Sequence, residues 1–320
     1  MRKVFLLITL FAALLNTPEA SAQKPAELEC PEGNTAISPF AFQRTANGKR
    51  TGTSINVSDT IPDFTLFDTA CKPHSFHALV NEGKPVLFVA VSYTCPLSRA
   101  SVTSIITRLD RLHHNRLKIV LVYVLEAHPA APCISPFADS VWTGDENRKA
   151  NIFYQQQQSY ADRVKMAKLF ISTLKLSIPV LLDSPDNRFF RSFGPLPNNG
   201  VLVGKDKRVF AVYRNMVESF SAVQFDLPLV ESLSSNSSCS ASELKKDSAG
   251  QPVLTLEPGN VMIQIFDHDG KLVCSFYRQS ATTTEEELRN RVNNKAGEYT
   301  LRVIQQNTIC LLSRFTVLQP

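Results

Sequence analysis

The stretch Val86-Leu87-Phe88-Val89-Ala90-Val91-Ser92-Tyr93-Thr94-Cys95-Pro96-Leu97-Ser98-Arg99-Ala100-Ser101-Val102 decides how this chain is read. Val86 to Val91 is an unbroken apolar run rich in β-branched residues, the pattern of a strand covered on both faces. Pro96 suits the first turn of a helix. Val102, Ile105, Ile106, Leu109 and Leu112 then recur at helical spacing to about His113. One cysteine, Cys95, therefore falls where a buried strand gives way to a helix. A thiol there lies near the positive end of the helix dipole, which favours the reactive thiolate. The competing expectation is a small buried cysteine that packs as an alanine would.

Outward from this stretch, Leu117 to Leu125 reads as a second apolar strand, so strand, helix and strand make a right-handed crossover with parallel strands. Asp63 to Phe67 is a short alternating segment on the N-terminal side, and Pro129 to Asn151 an irregular, proline-bearing stretch on the other. Gln158 to Leu176 reads as a helix, Pro179 to Leu182 as a third strand and Asp186 to Phe193 as a short helix. Val201 to Val203 and Val209 to Tyr213 make a hairpin around Lys205-Asp206-Lys207. This order predicts a thioredoxin-like α/β domain over 56–231.

The flanks differ in texture. Residues 1–22 read as a secretory signal: Arg2 and Lys3, an apolar core from Val4 to Leu15 too short to span a bilayer, and Ala20-Ser21-Ala22 as a cleavage site. Residues 23–55 are polar and read as a loosely ordered extension. Residues 232–252 are rich in serine and read as a linker. From 253 to 320 the pattern is all-β: Val261, Ile263 and Ile265 alternate, Asp267-His268-Asp269-Gly270 makes a hairpin turn, and further strands follow, predicting a small β-sandwich.

Composition narrows the function. Among 320 residues, 34 Lys and Arg stand against 29 Asp and Glu, a net charge of +5, and no basic stretch is interleaved with aromatics. Nucleic-acid binding has no support. No segment of the mature chain reaches membrane-spanning length. Seven cysteines is an odd count, so at least one thiol is unpaired or pairs between chains. There is no Cys-x-x-Cys, and Ser98 stands where a dithiol oxidoreductase carries its second cysteine. His74 and His77 near Cys71 have metal-like spacing without an evident fourth ligand, so no metal and no cofactor is expected.

In a parallel α/β sheet, functional groups gather beyond the carboxyl ends of the strands. Cys95 follows one strand; Glu126 and His128 follow the next. Thiol, carboxylate and imidazole then share one rim, with Cys95 as nucleophile, His128 handling its proton and Glu126 either orienting the imidazole or lowering solvent access. An exposed strand end is the plainer reading of Glu126 and His128. A one-thiol cycle needs a resolving thiol, for which Cys133 is the first candidate and Cys71 the second, or an external thiol reductant. Pro197, just before a strand, is a cis-proline candidate.

From about Ile61 to Met216 the chain resembles the iodothyronine deiodinase family. The resemblance rests on Ser92-Tyr93-Thr94-Cys95-Pro96, Val122-Tyr123-Val124-Leu125-Glu126-Ala127-His128, Gln158 to Ala167, Pro179 to Asp183, and Asp186-Asn187. It implies that Cys95 matches the attacking selenocysteine or cysteine, and that Glu126 and His128 belong to the substrate-binding and proton-handling set. Tyr93 stands where that family often has another cysteine. A peroxiredoxin pattern is incomplete, since Ser92 fits its hydroxyl position but Phe88 replaces its proline. The segment 253–320 resembles a type IX secretion C-terminal sorting domain, through Ile265-Phe266-Asp267, Gly270 to Val273, Gly297-Glu298-Tyr299 and Arg314 to Val317. This implies passage through the periplasm to the cell surface or beyond, with the type IX secretion machinery as a partner.

The sequence thus predicts an exported, thiol-dependent oxidoreductase that reduces a peroxide, disulfide or aryl halide. The alternative is a catalytically inactive, surface-displayed binding protein on the same scaffold.

Overall fold

The computed structural model describes residues 29–39, 43–44, 50–51, 55, 57, 59–138, 140–193, 197–232, 243–246, 252–255, 261–267, 272–278, 282–305 and 308–317. The signal segment lies outside these residues.

A short ladder, β1 (Gln43–Arg44) with β2 (Arg50–Thr51), precedes the main domain. Then come β3 (Thr65–Asp68), β4 (Pro73–Ser75), α1 (Phe76–Asn81), β5 (Val86–Val91), α2 (Pro96–Ser101), α3 (Thr107–His113), β6 (Lys118–Tyr123), α4 (Asp145–Lys149), α5 (Tyr160–Leu174), β7 (Val180–Leu182), α6 (Arg188–Phe193), β8 (Gly200–Val203), β9 (Val209–Tyr213) and α7 (Phe220–Ser232). The sheet order is β4-β3-β7-β6-β5-β8-β9. Strands β5, β6 and β7 run parallel at its centre, with antiparallel β3 beyond β7 and the β8–β9 hairpin beside β5. This is a thioredoxin-like α/β fold.

Strand β5 explains the apolar run. Both its edges are paired and all six residues are buried, so no position can carry a polar side chain cheaply. Phe88 stacks on Phe76 with ring centroids 4.4 Å apart, and Phe193 packs across both, so one face of β5 is sealed by α1 and α6. The helix after Cys95 is less regular than its spacing predicts. Between α2 and α3, Val102–Ile106 form a π-helical turn. Hydroxyls compete for its carbonyls: Thr103 Oγ1 bonds Arg99 O at 2.9 Å and Thr107 Oγ1 bonds Val102 O at 2.6 Å, which loosens the α ladder.

The extension is partly ordered, contrary to expectation. Residues 29–39 form a strap across the N-terminus of α5. Tyr160 N donates to Thr35 O and Ala161 N to Gly33 O, both at 2.9 Å, satisfying amides a helix start leaves orphaned. Ser159 and Asp162 complete the cap reciprocally. A disulfide joins Cys30 in the strap to Cys71 in the β3–β4 turn. That bond removes Cys71 as a resolving thiol.

The predicted linker also holds structure: β10 (Glu243–Lys246) pairs with β11 (Pro252–Thr255). The C-terminal region continues with β12 (Val261–Asp267), β13 (Leu272–Arg278), β14 (Thr282–Thr284), α8 (Glu285–Arg291), β15 (Gly297–Gln305) and β16 (Thr308–Val317). These make two antiparallel sheets, β10-β11-β14 and β13-β12-β15-β16. One face of the larger sheet buries Ile263, Ile265, Leu301 and Val303 against Leu288 and Val292, at α8 and just past it, a helix the alternation concealed. Strands β13 and β16 are its two edges, roughly 14 Å apart at ~4.8 Å per strand, and Cys274 on β13 is a free thiol.

The other face docks on the thioredoxin-like domain. Met262 and Ile304 join its core cluster. Arg302 is fully buried: Nη1 donates to Asp226 Oδ1 at 3.0 Å, Nη2 to the Phe210 carbonyl at 2.6 Å, and the guanidinium lies 4.1 Å from the Phe210 ring and 4.6 Å from that of Phe266. Phe210 sits where the β8–β9 register shifts, so its carbonyl has no ladder partner and Arg302 supplies one. Tyr213 donates to the second Asp226 oxygen at 2.8 Å.

Candidate active site

Cys95 caps α2. Its Sγ accepts the Ser98 N–H at 3.4 Å, and Pro96 occupies the first turn as the sequence suggests. The parallel register that sets Val91 beside Tyr123 brings the segments after β5 and β6 together at one rim. Thr94 joins them: its amide and hydroxyl both donate to Glu126 Oε2, at 2.9 and 2.7 Å, and its hydroxyl accepts the His128 N–H at 3.1 Å.

The electrostatics differ from expectation. Cys95 is only 5% exposed, and that burial pushes its thiol above the ordinary cysteine range. Opposing it are the Ser98 hydroxyl and amide, the Leu97 amide and the Arg99 charge. The helix start therefore does not yield a low-pKa thiol in the closed site. It supplies the groups that would hold a thiolate once one forms.

Glu126 does not orient the imidazole. Its other oxygen accepts from the Tyr123 hydroxyl and from Gln157 Nε2, the latter at 3.1 Å. With both oxygens engaged and no exposure, the carboxylate anchors the Thr94 turn, although burial pushes its pKa up. Gln157 in turn accepts from Arg163 Nε at 2.8 Å, and Arg163 Nη1 donates to the Asp183 and Ser184 carbonyls. This chain of polar groups runs from α5 to the cysteine turn.

His128 is held from the other side. The Trp142 carbonyl can only accept, so the ring donates Nδ1–H to it at 3.2 Å, which leaves Nε2 as an acceptor in the neutral ring. Burial lowers the His128 pKa, which favours the neutral ring. The Trp142 ring packs edge-on, 4.1 Å away. Arg99 donates to the Tyr93 carbonyl and, at 2.9 Å, to Asn147 Oδ1, and Asn147 donates to the Thr94 carbonyl at 2.7 Å. Helix α4 thus closes over the cysteine turn from inside the stretch expected to be irregular.

Cys133 is a free thiol whose hydrogen goes to Gln155 Oε1 at 2.8 Å rather than to Cys95. Pro197 is buried beside the site: the next residue, Asn198, donates its amide to Ala90 O at the end of β5. Its preceding residue, Leu196, lies outside the described residues, so the Leu196–Pro197 bond does too; a cis bond occurs at Ala131-Pro132. His74 pairs with Asp68 at 3.3 Å and His77 with Asp63 at 3.5 Å, and no His, Cys, Asp or Glu cluster suited to a metal occurs among the described residues.

Sequence reasoning missed Arg99, Tyr123, Asn147, Gln157 and Arg163. Arg99 lies four residues after Cys95 on one helix face, and Tyr123 puts a hydroxyl into an otherwise aliphatic buried strand, which demands a partner. Asn147 and Gln157 carried no such signal.

No protein-family model matches the chain, and no curated protein matches it. Among solved structures it is similar to a thiol:disulfide interchange protein of the thioredoxin family from Chlorobium tepidum, at 15% identity over 53% of this chain and 97% of that one, with a TM-score of 0.35. It is also similar to the peroxidoxin BcpB from Mycobacterium tuberculosis (13% identity, 52% and 92% covered, TM-score 0.34). A third is the pneumococcal exposed lipoprotein thioredoxin from Streptococcus pneumoniae (16% identity, 52% and 98% covered, TM-score 0.35). At these scores the likeness adds nothing to the strand order, on which the fold rests.

Proposed function

We propose that this chain is a thiol-dependent reductase in which Cys95 is the single nucleophile and a small peroxide its electrophile. The carrying observation is the Cys95 turn: a thiol at a helix start, accepting the Ser98 N–H, with Arg99 one turn on. Its near-complete burial favours a small electrophile over a disulfide on another protein.

In this reading His128 Nε2 takes the thiol proton as the peroxide enters. The sulfur attacks one peroxide oxygen, the O–O bond breaks, and the proton passes to the departing oxygen. Cys95 becomes a sulfenic acid and the peroxide an alcohol or water. One external thiol condenses with the sulfenic acid and releases water; a second reduces the mixed disulfide, so two thiols become one disulfide and Cys95 is restored. Cys133 is the alternative first thiol within the chain. An aryl iodide, the electrophile implied by the deiodinase resemblance, would need the same attack with iodine as the atom struck. The signal-like residues 1–22 and the sorting-domain resemblance of 253–320 support export through the type IX machinery.

Peroxide treatment followed by dimedone trapping should mark Cys95, and peroxide-driven turnover of a small thiol beyond one equivalent of disulfide should vanish in Cys95→Ser. The upward shift of the thiol favours a second reading, an inactive binding scaffold. Absence of both the adduct and the turnover would establish that reading instead.

A further inference from the structure

A second feature involves none of the Cys95 machinery. A cavity of about 470 Å³ is lined by Pro31, Gly33, Cys71, Tyr160, Val164 and the lysines Lys165 and Lys168, with Ala161 beside them. Its walls are largely apolar. Tyr160 is among the lining residues, and its buried hydroxyl has no hydrogen-bond partner. Lys165 and Lys168 are exposed and three residues apart on α5, so they share one face of that helix. Among the described residues the Cys30–Cys71 disulfide is the one such bond, and Cys71 both lines this cavity and is exposed.

We infer that this cavity docks a low-molecular-weight thiol bearing a carboxylate, and that the docked thiol reduces Cys30–Cys71. The charges favour this class. Two lysines concentrate anions at the cavity and stabilise a thiolate within it. The carboxylates that flank Cys30, those of Glu29 and Glu32, are not among the lining residues. Asp162, next to the lysine face, caps α5, accepting the Ser159 and Gln158 amides at 3.0 and 3.1 Å, though it also feels the Lys165 charge; Asp68, in the Cys71 turn, is engaged by the Ala70 and Lys72 amides and by His74. The apolar walls accept the carbon skeleton of the ligand.

The reaction balances as ordinary thiol–disulfide exchange. The ligand thiolate attacks Cys71 Sγ, the sulfur whose residue lines the cavity, and Cys30 leaves as thiolate and takes up a proton. A second ligand thiol attacks the mixed disulfide. Two ligand thiols become one ligand disulfide, and Cys30 and Cys71 become free thiols. The tie between strap and hairpin is then cut, and the strap is held by its bonds to Gln158, the start of α5, Pro185 and Asn187 and by the burial of Ile37.

The full-length protein is treated with 3-mercaptopropionate or with cysteamine, and the state of Cys30 and Cys71 is followed by alkylation and mass spectrometry. Rates are compared per thiolate. The anionic thiol should react roughly tenfold faster than the cationic one, the size expected of local charge at an exposed site. The Lys165→Ala/Lys168→Ala variant should erase that preference, and both substitutions are at exposed positions that leave the fold intact. Equal rates for the two thiols in the unmodified protein, or an undiminished preference in the variant, would overturn the assignment.

Discussion

Thr94 and Glu126 are bonded twice: amide and hydroxyl of the one donate to the same carboxylate oxygen of the other, at 2.9 and 2.7 Å. The residue before the candidate nucleophile is thereby fixed to the segment after β6 that carries His128. Because the Thr94 hydroxyl also accepts the His128 amide, one side chain ties the backbone of both segments together. Replacing Thr94 by Val keeps its shape but leaves a buried carboxylate short of a donor. This should cost about 1–3 kcal/mol in urea denaturation. Thr94→Ser should restore most of the stability, and the rate of Cys95 oxidation should follow the same order.

Arg99 is the cation nearest the thiol in sequence and the one that opposes its burial. Arg99→Ala should move the pH midpoint of Cys95 alkylation further upward, and Arg99→Lys should move it less. The measurement is the rate of iodoacetamide labelling against pH, read on the Cys95 peptide by mass spectrometry so that no other thiol enters. An unchanged midpoint in Arg99→Ala would count against an electrostatic role.

Asp183 predicts a pH dependence. Burial raises its pKa from 3.8 to about 6, against the Arg163 charge and three backbone amides that it accepts. The folded state therefore binds the proton more tightly than the unfolded chain. Its stabilising contribution is complete below pH 3.8 and is lost as pH rises through about 6. Carboxyl NMR of the folded protein should show Asp183 titrating near 6, and Asp183→Asn should remove that part of the slope of stability against pH.

The Arg302–Asp226 pair crosses from the C-terminal sheet to α7. Arg302→Met strands a buried carboxylate and should cost roughly 3–5 kcal/mol. The double variant Arg302→Met/Asp226→Leu should recover much of that loss, because it removes both charges together. A double-mutant cycle in urea checks the coupling.

The parts of the fold that the sequence displayed are those where burial dictates residue type. Val86 to Val91 could be read because every position of β5 faces protein, and Cys95 because a proline and a helical period follow it. The strap was invisible for a physical reason: Gly33 and Thr35 act through backbone carbonyls, which any residue provides. Helix α8 was hidden because a seven-residue helix between strands contributes little period of its own. At the site, positions were legible and roles were not. Glu126 and His128 stand on the expected rim, yet Glu126 spends its oxygens on Thr94, Tyr123 and Gln157, and those partners come from segments 3 to 32 residues away. The thiol pKa was misjudged because helix position is visible in a sequence, whereas the depth at which a side chain is buried is not.

The seating of Arg302 on the Phe210 carbonyl also imposes an order in time. That carbonyl is presented only once β8 and β9 have paired with their register shift, and Asp226 is in place only once α7 has formed. A ribosome delivers the thioredoxin-like domain first. The C-terminal sheet therefore has no finished surface to settle on until its predecessor is complete. A chain whose first domain stalls would carry Arg302 undocked, without the Asp226 carboxylate and Phe210 carbonyl that take up its guanidinium.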